Sequence, residues 1–315
     1  GLVLTGFRCS AVYCEGACSD VLITNCTVSA CGGSLAKDAL NVNYRAIHAR
    51  PDGPFELVDV EFVGNSYAAY LTAPATSGVT TNSVHDCAFV GNNAGCLYVG
   101  TATQTVSFIE RIQVVSNGVG SMVVLASSCK LGKACLTDSV FRANRFRGGS
   151  CAVDIETRTA DNSQQANCAY VSRCLFEDNV LNTTGTGTMG VYNGGGNYYN
   201  SYVSDCCWRG NVINISGGAQ DQCAAVAGRI TQYSQIYFYD CTFMDNTINS
   251  GDYTVSSARA GILGKDQHYG RMVAVNCSFK GNKFTAGHEA NEGEGVIFGG
   301  SIQASPIEAN SGATT

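Results

Sequence analysis

Chemistry requires a nucleophile, a base or a ligand set gathered in one place. The phrase "DCTFMDN" at 240–246 brings a cysteine, two aspartates and an asparagine within seven positions, the donor types of a metal site or an acid–base pair. It returns as "DCAFVGN" at 86–92, "RCLFEDN" at 173–179, "DCCWRGN" at 205–211 and "NCSFKGN" at 276–282. A catalytic site is built once, so the recurrence assigns these residues to architecture. The cysteines of the phrase, Cys26, Cys87, Cys174, Cys206, Cys241 and Cys277, fall in one slot and are read as small apolar core residues, since buried thiols pack as hydrophobes.

Outside the repeat, Asp154, Glu156 and Arg158 in "VDIETR" alternate onto one face of an exposed strand and are the strongest catalytic candidates. Glycoside hydrolysis needs two carboxylates facing each other at roughly 5–10 Å, and lyase action needs acidic calcium ligands with a basic proton acceptor. "GHEANEGEG" at 287–295 has Glu292 where a zinc-protease motif has its second histidine, and its glycines oppose the helix that motif requires. His48, His85 and His268 are scattered and expected on the surface. Cys9, Cys14, Cys18, Cys26 and Cys31 crowd the N-terminus without a C-x-x-C pair, which favours a disulfide-tied cap over zinc. No metal and no cofactor is expected, apart from N-linked glycans.

What repeats is an aromatic residue followed three positions later by asparagine. Phe62, Phe89, Phe141, Phe176, Trp208, Phe243 and Phe279 pair in this way with Asn65, Asn92, Asn144, Asn179, Asn211, Asn246 and Asn282. The gaps are 27, 52, 35, 32, 35 and 36 residues, and the long one divides into 25 and 27 if Val114 and Asn117 of "IQVVSN" fill the two slots. "NCTVSAC" is a degenerate copy with Val28 in the aromatic slot, giving about nine copies. Short β-branched and aromatic runs between Gly and Asn at this period predict an all-β solenoid, because helical repeats need 3.6-periodic segments that are missing. Equivalent residues then stack about 4.8 Å apart, ring on ring and amide on amide, and nine coils span roughly 40 Å. Asparagine is expected at the bend itself, since it tolerates left-handed backbone. A second strand follows each Asn, as in "GCLYVGT" (95–101), "GSMVVLAS" (120–127), "GSCAVDIET" (149–157), "CAAVAGRI" (223–230) and "GVIFGGSI" (295–302). Tyr170, Tyr202 and Tyr237, six positions before an aromatic slot, form another column, read as core; facing outward it would suit sugar rings.

These repeats resemble a right-handed parallel β-helix of the pectate-lyase-like type. The F-x-x-N phrase is similar to the repeats of polymorphic outer-membrane protein passengers, over residues 25 to about 300. The resemblance implies a rod of stacked coils whose flank can meet extended polysaccharides.

Composition narrows the function classes. Charged residues make up 14% and hydrophobic ones 45%, with 37 glycines and a net charge of −6, which excludes a basic nucleic-acid surface. No run reaches the roughly 18 apolar residues of a membrane-spanning helix, so no membrane insertion is expected of this segment. Seventeen cysteines point to an oxidising compartment, with Cys9, Cys14, Cys18, Cys31, Cys96, Cys129, Cys135, Cys151, Cys168, Cys207 and Cys223 as disulfide candidates and Cys129–Cys135 closing a short loop. Asn25, Asn182, Asn214 and Asn276 are N-glycosylation sequons. The expected organisation is an N-terminal Cys-rich cap or first coil at 1–24, a β-helix at 25–303 and a polar tail at 304–315. The expected role is an extracellular or cell-surface structural glycoprotein, a fibril subunit or adhesin. Its partners are copies of itself added head-to-tail, or surface glycans and receptors. The alternative is a polysaccharide-binding or polysaccharide-degrading β-helix enzyme.

Overall fold

The computed structural model describes residues 1–15, 19–32, 45–72, 80–101, 105–119, 122–127, 133–147, 150–157, 168–183, 189–193, 200–216, 223–228, 235–250, 259–265, 271–286, 298–300 and 307–309. Among them every regular element is a strand, and the strands form three sheets of eighteen, ten and six. Each strand pairs in parallel with its equivalent one repeat away. Thus Gln235–Tyr239 lies between Asn200–Ser204 and Arg271–Val275, and Thr242–Met244 lies between Cys207–Arg209 and Ser278–Lys280. The chain is all-β with parallel strands in stacked sheets, compatible with a parallel β-helix.

One repeat shows how the sequence produces this. Gln235–Tyr239 and Thr242–Met244 both belong to the first sheet, Thr247–Ser250 to the six-stranded third, and Arg259–Lys265 to the ten-stranded second. The strand expected after each Asn is present in the second sheet, as Gly95–Thr101, Val123–Ser127, Val153–Thr157, Cys223–Gly228 and Phe298–Gly300. In the later repeats a third-sheet strand precedes it. Two left-handed residues bend the first-sheet strands in each repeat, and in the later repeats they divide them. One precedes the cysteine slot, at Asp59, Asp86, Arg111, Asp138, Arg173, Asp205, Asp240 and Asn276, with φ of 50–57°. The other precedes the asparagine slot, at Gly64, Gly91, Ser116, Ala143, Asp178, Gly210, Asp245 and Gly281, with φ of 53–65°. The left-handed turn is therefore made by the residue before the asparagine, not by the asparagine as its own conformational tolerance suggested. At Gly210 glycine suits the left-handed φ, and a side chain there would have to displace the Asp178 carboxylate lying against it.

The asparagines are linked end to end and, but for the half-buried Asn282, are buried. Asn65 Nδ2 donates to Asn92 Oδ1 at 3.0 Å, and the chain continues through Asn117, Asn144, Asn179, Asn211 and Asn246 to Asn282 at 2.9–3.0 Å. Each amide also donates to the carbonyl of the aromatic slot one repeat back, as Asn211 does to Phe176 O at 2.9 Å. Its Oδ1 accepts the backbone N–H of the neighbouring asparagine, as Asn211 does from Asn179 at 3.1 Å. Where the backbone bends and cannot complete its ladder, the side chain completes it. Cys31 occupies the asparagine slot of the degenerate copy and its N–H donates to Asn65 Oδ1 at 3.0 Å.

Beside this ladder runs the core. Register aligns Leu4, Val28, Phe62, Phe89, Val114, Phe141, Phe176, Trp208, Phe243 and Phe279 in one column. Its rings stack at 4.7–4.9 Å with tilts of 1–8°. Tyr192, from the second sheet, meets Phe176 and Trp208 edge-on at 6.1 Å, so the first two sheets share this core. Burying each such ring is worth about 1.5–3 kcal/mol relative to leaving it in water.

Candidate functional site: outward aromatic columns

The inward columns leave little for chemistry. The thiols of Cys87, Cys174, Cys206, Cys241 and Cys277 are buried, and each bonds the carbonyl two residues earlier at 3.2–3.4 Å. Ser139 fills the same slot and donates to Thr137 O at 2.7 Å. Burial raises the Cys87 thiol to about 11 and that of Cys206 well above its ordinary value, so these two thiols stay protonated and inert. Among the described residues no three His, Cys, Asp or Glu side chains come together as a metal-ligand set.

Several expected disulfides are corrected. Cys9, Cys31, Cys96, Cys135, Cys168 and Cys207 are free thiols, so the expected Cys129–Cys135 bridge is absent; Cys14 is disulfide-bonded. In-register stacking places chemically different residues opposite most of these cysteines, as Tyr170 opposite Cys135. Cys18 and Cys129 lie outside the described residues.

The outward faces differ. Tyr170, Tyr202 and Tyr237 stack at 5.2–5.4 Å in register, but on the outer face of the first sheet, with Tyr170 42% exposed. The core placement expected from their spacing is corrected, because the left-handed residues at 173, 205 and 240 insert one position between Tyr and Phe and invert the alternation. Their faces are covered by one another, so edges and hydroxyls meet solvent.

A second outward column lies on the second sheet. Register places Tyr13, His48, Tyr70 and Tyr98 opposite one another, with ring centroids 5.0, 5.4 and 4.4 Å apart. His48 is 8% exposed between Tyr13 and Tyr70, where a surface position was expected; stacking on both faces removes it from water. The Arg45 guanidinium carbon sits 3.1 Å from the Tyr70 ring centroid and 5.8 Å from that of Tyr67. Arg45 Nη1 donates to His48 Nδ1 at 3.4 Å. Burial, and then the Arg45 charge, lower the His48 pKa; burial lowers that of Arg45 and raises that of Tyr67. Spacing could not reveal this column, because Tyr70 follows Asn65 by five positions and Tyr98 follows Asn92 by six.

The same line of register continues through Val124 to Asp154, Asn193, Gly228, Gly264 and Gly299. Asp154 is 6% exposed, not on a solvated face as its alternation implied. Glu156 follows on the same strand, Val153–Thr157, and Arg158 lies outside the described residues, as do His268 and the 287–295 segment. His85 is half-buried and bonds Asp86 Oδ2 at 2.9 Å and Glu56 Oε1 at 3.4 Å. Bidentate pairs Arg111–Asp86 and Arg173–Asp138 bridge neighbouring repeats along the first bend.

Of the sequons, Asn25 and Asn276 are exposed and left-handed, Asn25 within the strand Val21–Ser29 and Asn276 at a bend. Asn182 and Asn214 face outward on the third sheet, where Asn214 Nδ2 donates to Asn182 Oδ1 at 2.9 Å and Asn249 Nδ2 to Asn214 Oδ1 at 2.8 Å.

Compared with known proteins, the chain matches no family model, no curated protein and no solved structure.

Proposed function

We propose that this chain is a right-handed parallel β-helix of about nine coils, serving as an extracellular structural rod that acts as a fibril subunit or surface adhesin. The observation that carries this reading is the amide chain from Asn65 to Asn282 running beside one aromatic pile. Both devices grow by simple addition of repeats along one axis. Right-handedness follows from the general rule that crossovers between parallel strands of one sheet turn that way. The sequons at the exposed Asn25 and Asn276 support a glycosylated outer surface. Leu2 and Val3 are 60% and 63% exposed on a strand whose one neighbour among the described residues is Val21–Ser29, which supports addition of further strands there, supplied in a fibril by another copy. Negative-stain imaging tests this: rods or head-to-tail filaments are expected, and compact particles that stay dispersed at high concentration refute it.

A second reading, polysaccharide binding or cleavage, draws on the second-sheet line that carries Tyr13, His48, Tyr70, Tyr98 and Asp154. Under it, acidic polysaccharides release reducing ends or unsaturated products, and Asp154→Asn abolishes the release while leaving the fold intact by circular dichroism. No release from any acidic glycan by the parent chain rules out the cleavage form.

A further inference from the structure

We propose that the Arg45–His48 corner of the second sheet binds one oxyanion, a carboxylate or sulfate group, with uptake of a proton by His48. The inference stands on the geometry of this corner and does not depend on the rod.

Arg45 is a cation partly withdrawn from water that makes no ion pair among the described residues, and the groups packed against it are the rings of Tyr70 and Tyr67. The ring of Tyr70 covers one face of the guanidinium, which leaves the edge of the planar group for hydrogen bonding. Along that edge Nε is buried and meets no acceptor. A buried charged donor without an acceptor is costly, and one with an oxyanion beside it is not. Glu15, a carboxylate that faces His48, is engaged by the Tyr13 hydroxyl and by Arg50, so the missing acceptor does not come from there.

His48 completes the site. Because an arginine N–H can only donate, Nδ1 accepts from Nη1 and the imidazole proton sits on Nε2. At 3.4 Å the Nη1–Nδ1 contact is long for a hydrogen bond, and it forbids a proton on Nδ1. An oxyanion set against both groups accepts from the guanidinium, whose Nε lacks a partner, and from a protonated Nδ1, replacing one long contact with charge-assisted bonds. The charged groups facing His48 are Arg45, Arg50 and Glu15, and its ring neighbours are Tyr13 and Tyr70. Two of the three charges are positive, so a bound anion shifts the balance toward the imidazolium. Affinity must therefore rise as pH falls through the His48 pKa of the free protein.

The experiment follows the imidazole NMR signals of the full chain against pH, with sodium sulfate or with sodium chloride at equal ionic strength. The His48 signal is assigned by its loss in His48→Gln. Sulfate is expected to raise the His48 pKa while leaving His85, already held by Asp86 and Glu56, unmoved. Arg45→Gln is expected to raise the His48 pKa in chloride and to remove the response to sulfate; Arg45→Lys, which keeps the charge without the fork, is expected to retain a weaker response. Should Arg45→Gln fail to fold, the parent titration decides alone. A His48 pKa equal in sulfate and chloride, or a sulfate response that persists in a folded Arg45→Gln, overturns the proposal.

Discussion

The inner pile from Phe62 to Phe279 and the outer column Tyr13–His48–Tyr70–Tyr98 are built by the same parallel register, yet they differ in order. Inner rings tilt by 1–8° at nearly constant separation, whereas outer rings tilt by 14–27° at 4.4–5.4 Å. An inner ring is held by neighbours above, below and across the core, and an outer ring mainly by its neighbours along the column. The constrained column accepts Phe, Trp or Val and nothing polar. The looser one accommodates an imidazole and a guanidinium. Stability is invested inside the sheets, and whatever chemistry the chain performs has room only outside them.

Trp208 gives the largest break in the inner column. Trp208→Ala removes a fully buried ring stacked between Phe176 and Phe243 and is expected to cost about 3–5 kcal/mol in urea unfolding. Trp208→Phe should behave oppositely. The indole Nε1 is buried without a hydrogen-bond partner, so a phenyl ring keeps the stack and removes an unsatisfied donor; the expected change is within about 1 kcal/mol of neutral, of either sign. A Phe variant as damaged as the Ala variant would mean that ring size, not stacking, holds the pile.

Asn211→Ala ranks next. The amide donates to Asn246 Oδ1 and Phe176 O and accepts from Asn179, so its removal leaves buried backbone groups unpaired, at about 2–4 kcal/mol. Because repeat arrays unfold in segments, hydrogen exchange is the sharper readout. Lost protection should centre on Phe176 and Asn179 and fade along the axis. Uniform loss over the whole chain contradicts a one-dimensional ladder.

Much of the fold was legible because parallel register forces like onto like. The all-β class and parallel pairing followed from short apolar runs at a period of 25–36 residues, and in the structure Val114 and Asn117 of "IQVVSN" stand in the aromatic and asparagine columns. What period alone hid was phase. The left-handed residue before Cys206 or Cys241 inserts one position, so Tyr202 faces outward although its spacing to Trp208 is even. The outer site was illegible for a related reason. Arg45, His48, Tyr70 and Tyr98 come from repeats of unequal length, and their alignment exists only once the strands are paired. For the cysteines that are free, the disulfide reading failed because pairing depends on which side chains the register brings opposite, not on how many cysteines the chain carries.

Histidine titration sharpens the comparison with a smaller effect than either substitution. Burial depresses the His48 pKa in the folded chain, so its contribution to stability is full above the unfolded value of about 6.5 and is lost as pH falls through the folded pKa. His85 carries the reverse sign. Its bond to Asp86 raises its pKa, so its contribution is full below about 6.5 and is lost as pH rises through the folded pKa. His48→Gln should flatten the acid side of the stability–pH curve, and His85→Gln the neutral side. If both variants flatten the same side, His48 is not held neutral by its column.

The smallest effect is expected on the outer face of the first sheet. Tyr202 stacks on Tyr170 and Tyr237, but the strip lies toward solvent and the strand beneath it pairs fully on both sides. Tyr202→Ala therefore removes ring stacking without unpairing any backbone group, and its cost should stay below about 1 kcal/mol. The near-ultraviolet dichroism of coupled tyrosines should fall while the unfolding midpoint barely moves. A loss as large as that of Asn211→Ala would mean that the strip is covered by another part of the chain, and that the division between a rigid interior and a permissive exterior does not hold on this sheet.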